Sequence, residues 1–94
     1  MFEIKIQDEK ELFLIGRLDA SSTEKLQNSL DLIKSDCTVN FKDLEYISSA
    51  GLGALIKTYS RLKISGNSIK LTSMNKHISE VFKYSGLDKV FFIE

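Results

Sequence analysis

The sequence predicts a single α/β domain, residues 1–94, built on a mixed and mostly parallel β-sheet. Apolar stretches with a period of two residues alternate with stretches in which apolar residues recur every three or four positions. Their order is β-β-α-β-α-β-α-β. Strands separated by a helix are expected to be parallel neighbours with right-handed crossovers, whereas the first two strands form an antiparallel hairpin.

The hairpin is predicted at the start of the chain. Phe2, Ile4 and Ile6 alternate with polar residues, as in a strand with one buried face. A polar turn is expected at Asp8-Glu9-Lys10. The segment 12–15 is continuously apolar, which indicates a central strand covered on both faces.

The first helix is predicted from about Ser21 to Lys34, because Ser21 and Glu24 have the spacing of a capping box. Its apolar stripe consists of Leu26, Leu30 and Ile33. A third strand follows from the alternation of Cys37, Val39 and Phe41. The segment 42–49 is expected to cross from this strand to the second helix.

The second helix is expected to end at Gly66, a residue suited to the left-handed position after a helix. Its predicted apolar stripe consists of Leu52, Leu55, Ile56, Tyr59 and Leu62. A fourth strand is marked by Ile69 and Leu71, and Asn75 is expected to cap a short third helix. That helix buries Ile78, Val81 and Phe82 and ends at Gly86, with Leu87 packing on Phe82.

A fifth strand, 90–93, closes the predicted sheet. Three of the strands alternate between apolar and polar residues instead of being apolar throughout. We therefore expect the helices to cover one face of the sheet and to leave part of the other face in contact with solvent.

Composition excludes several classes of function. Thirteen basic and thirteen acidic residues give a net charge of zero, unlike proteins that bind nucleic acids or anionic membranes. One cysteine permits neither a disulfide nor a thiolate metal site. No apolar run approaches the roughly 20 residues of a membrane span, and the start of the chain lacks the pattern of a signal peptide. We expect a cytoplasmic protein without a cofactor, and 94 residues leave little room for a substrate pocket.

Three strand-to-helix loops are expected to meet at the carboxyl ends of the parallel strands, the usual place for a site in such a sheet. They carry Asp19-Ala20-Ser21, then Ile47 to Gly53, then Ser73-Met74-Asn75 followed by His77. The middle loop is the most informative, because two serines and two glycines stand at the start of a helix. Glycine lowers helix propensity by about 1 kcal/mol relative to alanine, so another requirement favours it here.

Two interpretations of this loop remain open from the residues alone. In the first, Ser48 or Ser49 is only an N-cap and the glycines allow close packing against a strand. In the second, the helix N-terminus tolerates a phosphate on one of these serines, and the added charge alters a flat docking surface. Ser49, Gly53 and Lys57 lie off the predicted apolar stripe and should face outward.

The segment 43–53, Asp-Leu-Glu-Tyr-Ile-Ser-Ser-Ala-Gly-Leu-Gly, resembles the signature of the anti-sigma factor antagonists, which are STAS (sulfate transporter and anti-sigma antagonist) domains. The segment 16–20, Gly-Arg-Leu-Asp-Ala, resembles the family's motif after the second strand. The segment 85–91, Ser-Gly-Leu-Asp-Lys-Val-Phe, resembles its ending. The similarity spans nearly the whole chain.

This resemblance implies a bacterial partner switch. An anti-sigma factor with serine-kinase activity phosphorylates the antagonist, the bare form binds that factor and frees a sigma factor, and a metal-dependent serine phosphatase reverses the modification. The family's acceptor corresponds to Ser49, with Ser48 as the alternate, and Asp19 falls on the partner-binding edge. The expected docking surface consists of Asp19, Ser48, Ser49, Ala50, Gly51, Gly53 and Lys57.

The chain departs from the family pattern at two places. Family members often have Asp immediately before the acceptor, where this chain has Ser48. They also commonly carry a further C-terminal helix, whereas this sequence ends at Glu94, so part of the core is expected to be exposed or closed by another molecule. The free protein is expected to be a monomer.

Two other functions are weighed against the switch. A scaffold of the same fold would use the same surface without phosphorylation. A small serine hydrolase would need Ser49, His77 and Asp19 to meet, but the G-x-S-x-G elbow is lacking. The motifs G-x-G-x-x-G and G-x-x-x-x-G-K-[ST] are also lacking, and Cys37 fits a small buried hydrophobe better than a redox thiol.

Overall fold

The computed structural model describes residues 1–8 and 10–94. The strands of this part of the chain are β1 (Phe2–Gln7), β2 (Glu11–Leu18), β3 (Cys37–Ile47), β4 (Ile69–Thr72) and β5 (Phe92–Ile93). The helices are α1 (Thr23–Leu30), α2 (Ser49–Ile64) and α3 (Lys76–Tyr84). The 3-10 turns are Ala20–Ser22 and Leu87–Lys89. Element order and type agree with the prediction.

The strands form one sheet in the order β1-β2-β3-β4-β5. β1 pairs antiparallel with β2, and Ile4 lies opposite Leu14. The other neighbours are parallel, as Val39 opposite Leu71 shows for β3 and β4. The predicted α/β class with a mixed sheet is therefore confirmed. Of the polar turn predicted between β1 and β2, Glu9 lies outside the described residues.

The helices cover one face of the sheet, where side chains of all five strands reach the core, with the half-buried Ile93 as the contribution of β5. Fully buried residues on this face include Leu12, Leu14, Val39, Phe41 and Leu71. On the opposite face Phe13 and Ile15 are only half-buried. The prediction that β2 is covered on both faces is therefore wrong, because its apolar run combines a core face with a partly solvated one.

β3 is longer than the sequence indicates. The segment 42–49, predicted to cross to the second helix, continues as strand up to Ile47. The register with β2 shifts between Phe13 and Ile15 and again between Gly16 and Arg17. These bulges space the buried residues Phe41, Leu44 and Ile47 three apart, so the period of two is lost although the strand continues.

α1 ends at Leu30, whereas the sequence predicts an end near Lys34. The guanidinium of Arg61, on α2, donates to the carbonyl oxygen of Leu30 at 2.8 Å. Beyond this point Leu32 is 74% exposed while Ile33 remains buried. The apolar stripe thus extends past the helix into the loop that leads to β3.

The predicted ends of α2 and α3 and the predicted N-cap of α3 are confirmed. Gly66 has φ +80°, and the N–H of Asn67 donates to the Leu62 carbonyl at 2.8 Å, as in a Schellman motif. The side chain of Asn75 accepts from the Ile78 N–H at 2.8 Å. Gly86 follows α3 with φ +77°.

The last strand is shorter than the predicted 90–93. Val90 belongs to no strand and is 41% exposed, whereas Phe91 is buried before β5 begins. Leu87–Lys89 forms a 3-10 turn that is closed by Val90, whose N–H donates to the Leu87 carbonyl at 3.0 Å, so the first residue of the predicted strand belongs to this turn.

Cys37 behaves as the sequence predicts. It is 5% exposed in the core. Burial, together with the nearby carboxylate of Asp36, raises the pKa of its thiol to about 11. The thiolate is therefore scarce at neutral pH, and the residue contributes to packing.

Candidate functional site

The loops that follow β2, β3 and β4 meet at one edge of the sheet, as expected from the parallel order of these strands. The N–H of Ser48 donates to the Leu18 carbonyl at 2.9 Å, which joins the ends of β2 and β3. The side-chain amide of Asn75 donates to the Leu44 carbonyl at 3.1 Å and ties the third loop to β3. Hydrogen bonds therefore hold the three loops together.

The two serines of the middle loop have different surroundings. Ser48 is the N-cap of α2, with extended backbone angles (φ −90°, ψ 168°), and its hydroxyl oxygen accepts from the Gly51 N–H at 3.2 Å. It is half-buried, whereas Ser49 is exposed and is the first residue of the helix. The capping role considered for either serine thus belongs to Ser48, and Ser49 presents its side chain to solvent.

The two glycines of the loop also differ. Gly51 is buried, and a Cβ at this position would lie 2.8 Å from Cγ and Cδ2 of Leu18 and 3.2 Å from Cγ1 of Ile47. Gly53 is exposed, and a Cβ there would meet nothing within 4 Å. Close packing therefore accounts for Gly51 but not for Gly53, which leaves a bare stretch of helix backbone beside Ser49.

The outward face of α2 contains the residues expected there. Ser49, Gly53 and Lys57 are exposed, and so is Ala50. The predicted apolar stripe is wrong in part, because Ile56 is 37% exposed and joins this outward face. The buried residues of the helix are Gly51, Ala54, Leu55, Thr58 and Leu62.

Thr58 explains why the stripe was misplaced. It is fully buried although its side chain is polar. Its hydroxyl donates to the Ala54 carbonyl at 3.0 Å, which satisfies the donor within the helix and lets the methyl group pack in the core. A hydropathy pattern counts threonine as polar and therefore moves the predicted stripe towards Ile56.

Asp19 organises the loop after β2. One carboxylate oxygen accepts from the hydroxyls of Ser21 at 2.7 Å and Ser22 at 2.8 Å, and from the Ser22 N–H at 3.1 Å. These bonds, the Ser21 hydroxyl first, lower the pKa of Asp19 below its ordinary value of 3.8. The predicted capping box at Ser21 is wrong, because Asp19 caps the turn before α1.

The residues considered for a serine hydrolase do not form a relay. His77 is exposed on the first turn of α3. Oδ1 of Asp19 accepts from Ser21 and Ser22, and within the described residues no hydrogen bond joins His77 to this carboxylate. Among residues 1–8 and 10–94, no group of three or more His, Cys, Asp or Glu side chains is placed to hold a metal ion. In the same part of the chain, no helix has the length and hydropathy to cross a membrane.

Sequence reasoning missed one feature of this edge. The guanidinium of Arg17 lies 4.5 Å from the centre of the Tyr46 ring. Arg17 and Tyr46 are paired in the β2–β3 register and precede Asp19 and Ser48 by two residues each. The sequence contained a signal for this contact, because residues two apart in a strand lie on the same face, as Arg17 and Asp19 do. The contact with Tyr46 orients the guanidinium of Arg17 beside the loops.

Known proteins resemble this chain in sequence. A family model described as Mlab, STAS domain, matches residues 4–94. The chain is 28% identical over 80 residues to the anti-sigma-B factor antagonist of Bacillus subtilis (strain 168), a match that covers 82% of this chain and 73% of that protein.

Solved structures share the fold. An anti-sigma factor antagonist from Mycobacterium paratuberculosis superposes with a TM-score of 0.82 at 17% identity, covering 99% of this chain and 83% of that one. The anti-sigma factor antagonist SpoIIAA in its unphosphorylated form gives 0.72 at 15% identity, covering 100% and 87%. The phosphorylated form of SpoIIAA, from Bacillus, gives 0.72 at 18% identity, covering 100% and 91%. With the family model matching from residue 4 to residue 94, this chain belongs to the STAS domain family.

Proposed function

We propose that this protein is an anti-sigma factor antagonist that is switched by phosphorylation of Ser49. The observation that carries the proposal is the exposed hydroxyl of Ser49 at the first residue of α2, directly after the Ser48 cap. Unphosphorylated protein binds an anti-sigma factor with serine-kinase activity, phosphorylated protein is released, and a serine phosphatase resets the switch. The docking surface extends from Asp19 across the start of α2 to Lys57.

The different roles of the two serines support Ser49 as the acceptor. Ser48 is half-buried and its oxygen holds the Gly51 N–H. Loss of such a cap costs about 0.5–2 kcal/mol, so modification of Ser48 would weaken the start of α2. Ser49 is exposed and does not supply the cap, so a kinase reaches it without disturbing the helix. Ser48 stands where the family often has Asp before the acceptor, and Ser and Asp are both favourable N-cap residues.

Electrostatics support release without a change of fold. The N-terminus of α2 carries about half a positive charge, and its first turn contains no acidic residue, so it tolerates a phosphate on Ser49. Phosphorylation adds a charge of about −1.5 to −2 to a chain whose net charge is zero. A partner fitted to the bare hydroxyl and to the flat backbone at Gly53 then meets a bulky dianion. The unphosphorylated and the phosphorylated form of SpoIIAA each share the fold of this chain, with a TM-score of 0.72.

Intact mass and site-mapped fragmentation test the modification. Protein taken from its native host under two growth conditions should carry one phosphate, on Ser49, with an occupancy that changes between the conditions. Phosphate on Ser48 would keep the mechanism and change the acceptor. Absence of phosphate in both conditions would contradict the switch and favour a scaffold of the same fold.

Binding variants test the consequence of the phosphate. Ser49→Asp should weaken binding to the host's serine-kinase anti-sigma factor, whereas Ser49→Ala should bind and persist in the complex when ATP is added. Ser79→Asp introduces the same charge at an exposed position of α3 and serves as the matched control. Equal binding by wild type, Ser49→Asp and Ser49→Ala would contradict the switch.

A further inference from the structure

The outer edge of β1 has no neighbouring strand among the described residues. The N–H of Arg17 donates to the Met1 carbonyl at 2.9 Å, which identifies a hydrogen-bonded pair at this end of the β1–β2 ladder. Such pairs alternate along antiparallel strands. The residues that bond towards β2 are therefore Glu3, Lys5 and Gln7. Those whose N–H and C=O groups point away from the sheet are Phe2, Ile4 and Ile6.

One of these outward groups already has a partner. The ammonium of Lys25, on α1, donates to the Phe2 carbonyl at 3.0 Å. Within residues 1–8 and 10–94, no hydrogen bond is formed by the outward backbone groups of Ile4 and Ile6. Next to them the Ile6 side chain is 49% exposed and Leu32 is 74% exposed, and both line one groove. The edge therefore combines free backbone groups with apolar surface, the two features that allow another strand to pair.

We propose that this edge binds a second copy of the same chain, with the two β1 strands antiparallel about a twofold axis at Ile4. In this register Ile4 pairs with Ile4 of the second copy, and Phe2 pairs with Ile6. Glu3 then lies directly opposite Lys5 of the second copy, and the axis creates the same pair again. Both charged pairs occupy the sites where opposing side chains come closest.

Charge selects this register over its neighbours. Only residues whose backbone groups point outward can form hydrogen bonds between the two copies. One strand can therefore shift against the other only by two residues at a time. The next register in one direction places Glu3 opposite Glu3, and the next in the other direction places Lys5 opposite Lys5. Like charges directly opposite each other are destabilising, whereas the register about Ile4 has only opposite charges. β1 is thus complementary to itself in one alignment.

The association should be reversible and dependent on concentration, so that the monomer expected from the sequence is the form present at low concentration. β1 has six residues, and Lys25 competes for the Phe2 carbonyl, so the interface lacks the area of a permanent dimer. Pairing would cover Ile6, which now faces water. The residues involved are separate from the docking surface on α2, so this proposal stands independently of the proposed function.

Sedimentation velocity over a concentration series tests the interface with the full chain. Wild type should show a monomer–dimer equilibrium. Glu3→Lys and Lys5→Glu should each raise the dissociation constant by about tenfold, because each creates two like-charged pairs. An equimolar mixture of the two variants restores opposite charges and should associate as tightly as wild type, as should the double variant.

Glu80→Lys, the same charge change at an exposed position of α3, is the matched control and should leave the equilibrium unchanged. Circular dichroism verifies the fold of each variant. The proposal is overturned if wild type remains monomeric throughout the series. It is also overturned if the single variants dimerise as wild type does, or if their mixture associates no more tightly than each alone.

Discussion

Gly51 and Gly53 lie two residues apart on α2 in opposite surroundings, so alanine should have opposite effects at the two positions. At Gly51 the new Cβ would lie 2.8 Å from Cγ and Cδ2 of Leu18, whose side chain is fully buried in the core. Overpacking of this kind costs typically about 1–3 kcal/mol. The higher helix propensity of alanine offsets about 1 kcal/mol of this cost.

We therefore expect Gly51→Ala to lower the free energy of unfolding by up to about 2 kcal/mol, from the difference between these two terms. At Gly53 the Cβ meets nothing within 4 Å, so only the propensity term applies. Gly53→Ala should raise the free energy of unfolding by about 0.5–1 kcal/mol. The two variants have the same composition, so they control for each other.

Urea unfolding followed by far-UV circular dichroism measures both effects. Equal m-values for wild type and the variants would show that the midpoint shifts report stability. In thermal unfolding, each kcal/mol corresponds to a shift of about 4–8 °C in a domain of this size. A Gly51→Ala variant as stable as the Gly53→Ala variant, or a destabilised Gly53→Ala variant, would refute the packing argument.

Two further predictions concern the loops, one at Ser48 and one at Asp19. Ser48→Ala should lower the free energy of unfolding, measured in urea, by about 0.5–2 kcal/mol through loss of the cap. Ser48→Asp keeps a hydrogen-bond acceptor and should retain most of the stability. Equal destabilisation by the two substitutions would contradict the assignment of Ser48 as the cap. The lowered pKa of Asp19 means that its stabilising contribution is present above pH 3.8, its ordinary pKa, and is lost as the pH falls through the lower folded value. Asp19→Asn should make the free energy of unfolding less dependent on pH below pH 3.8. An unchanged pH dependence would refute the assignment of this effect to Asp19.

The sequence predicts the order of the elements because each has a clear apolar period or a capping residue. Asn75 and Gly66 act as caps where local chemistry indicates them. The predicted length of β3 is too short because its bulges depend on the register with β2. This register is a property of two strands and not of one segment. The same limit applies to β2, whose second face is half-exposed because no helix packs there.

The candidate site was predicted in outline but not in its division of roles. The pattern around Ser48 and Ser49 indicates a helix start, yet the choice of cap depends on which hydroxyl reaches the Gly51 N–H. Burial of Gly51 depends on Leu18, which is distant in sequence and contacts it only in the folded chain. Local patterns carry no information about such contacts.

The cross-links between the loops have a consequence for the kinetics of recognition. The Ser48 N–H bond to Leu18 and the Asn75 amide bond to Leu44 already order the chain at this edge. A partner that docks there loses little affinity to the entropy of arranging loops, so association resembles the contact of two rigid bodies. Changes at the surface should then alter the lifetime of a complex more than its rate of formation.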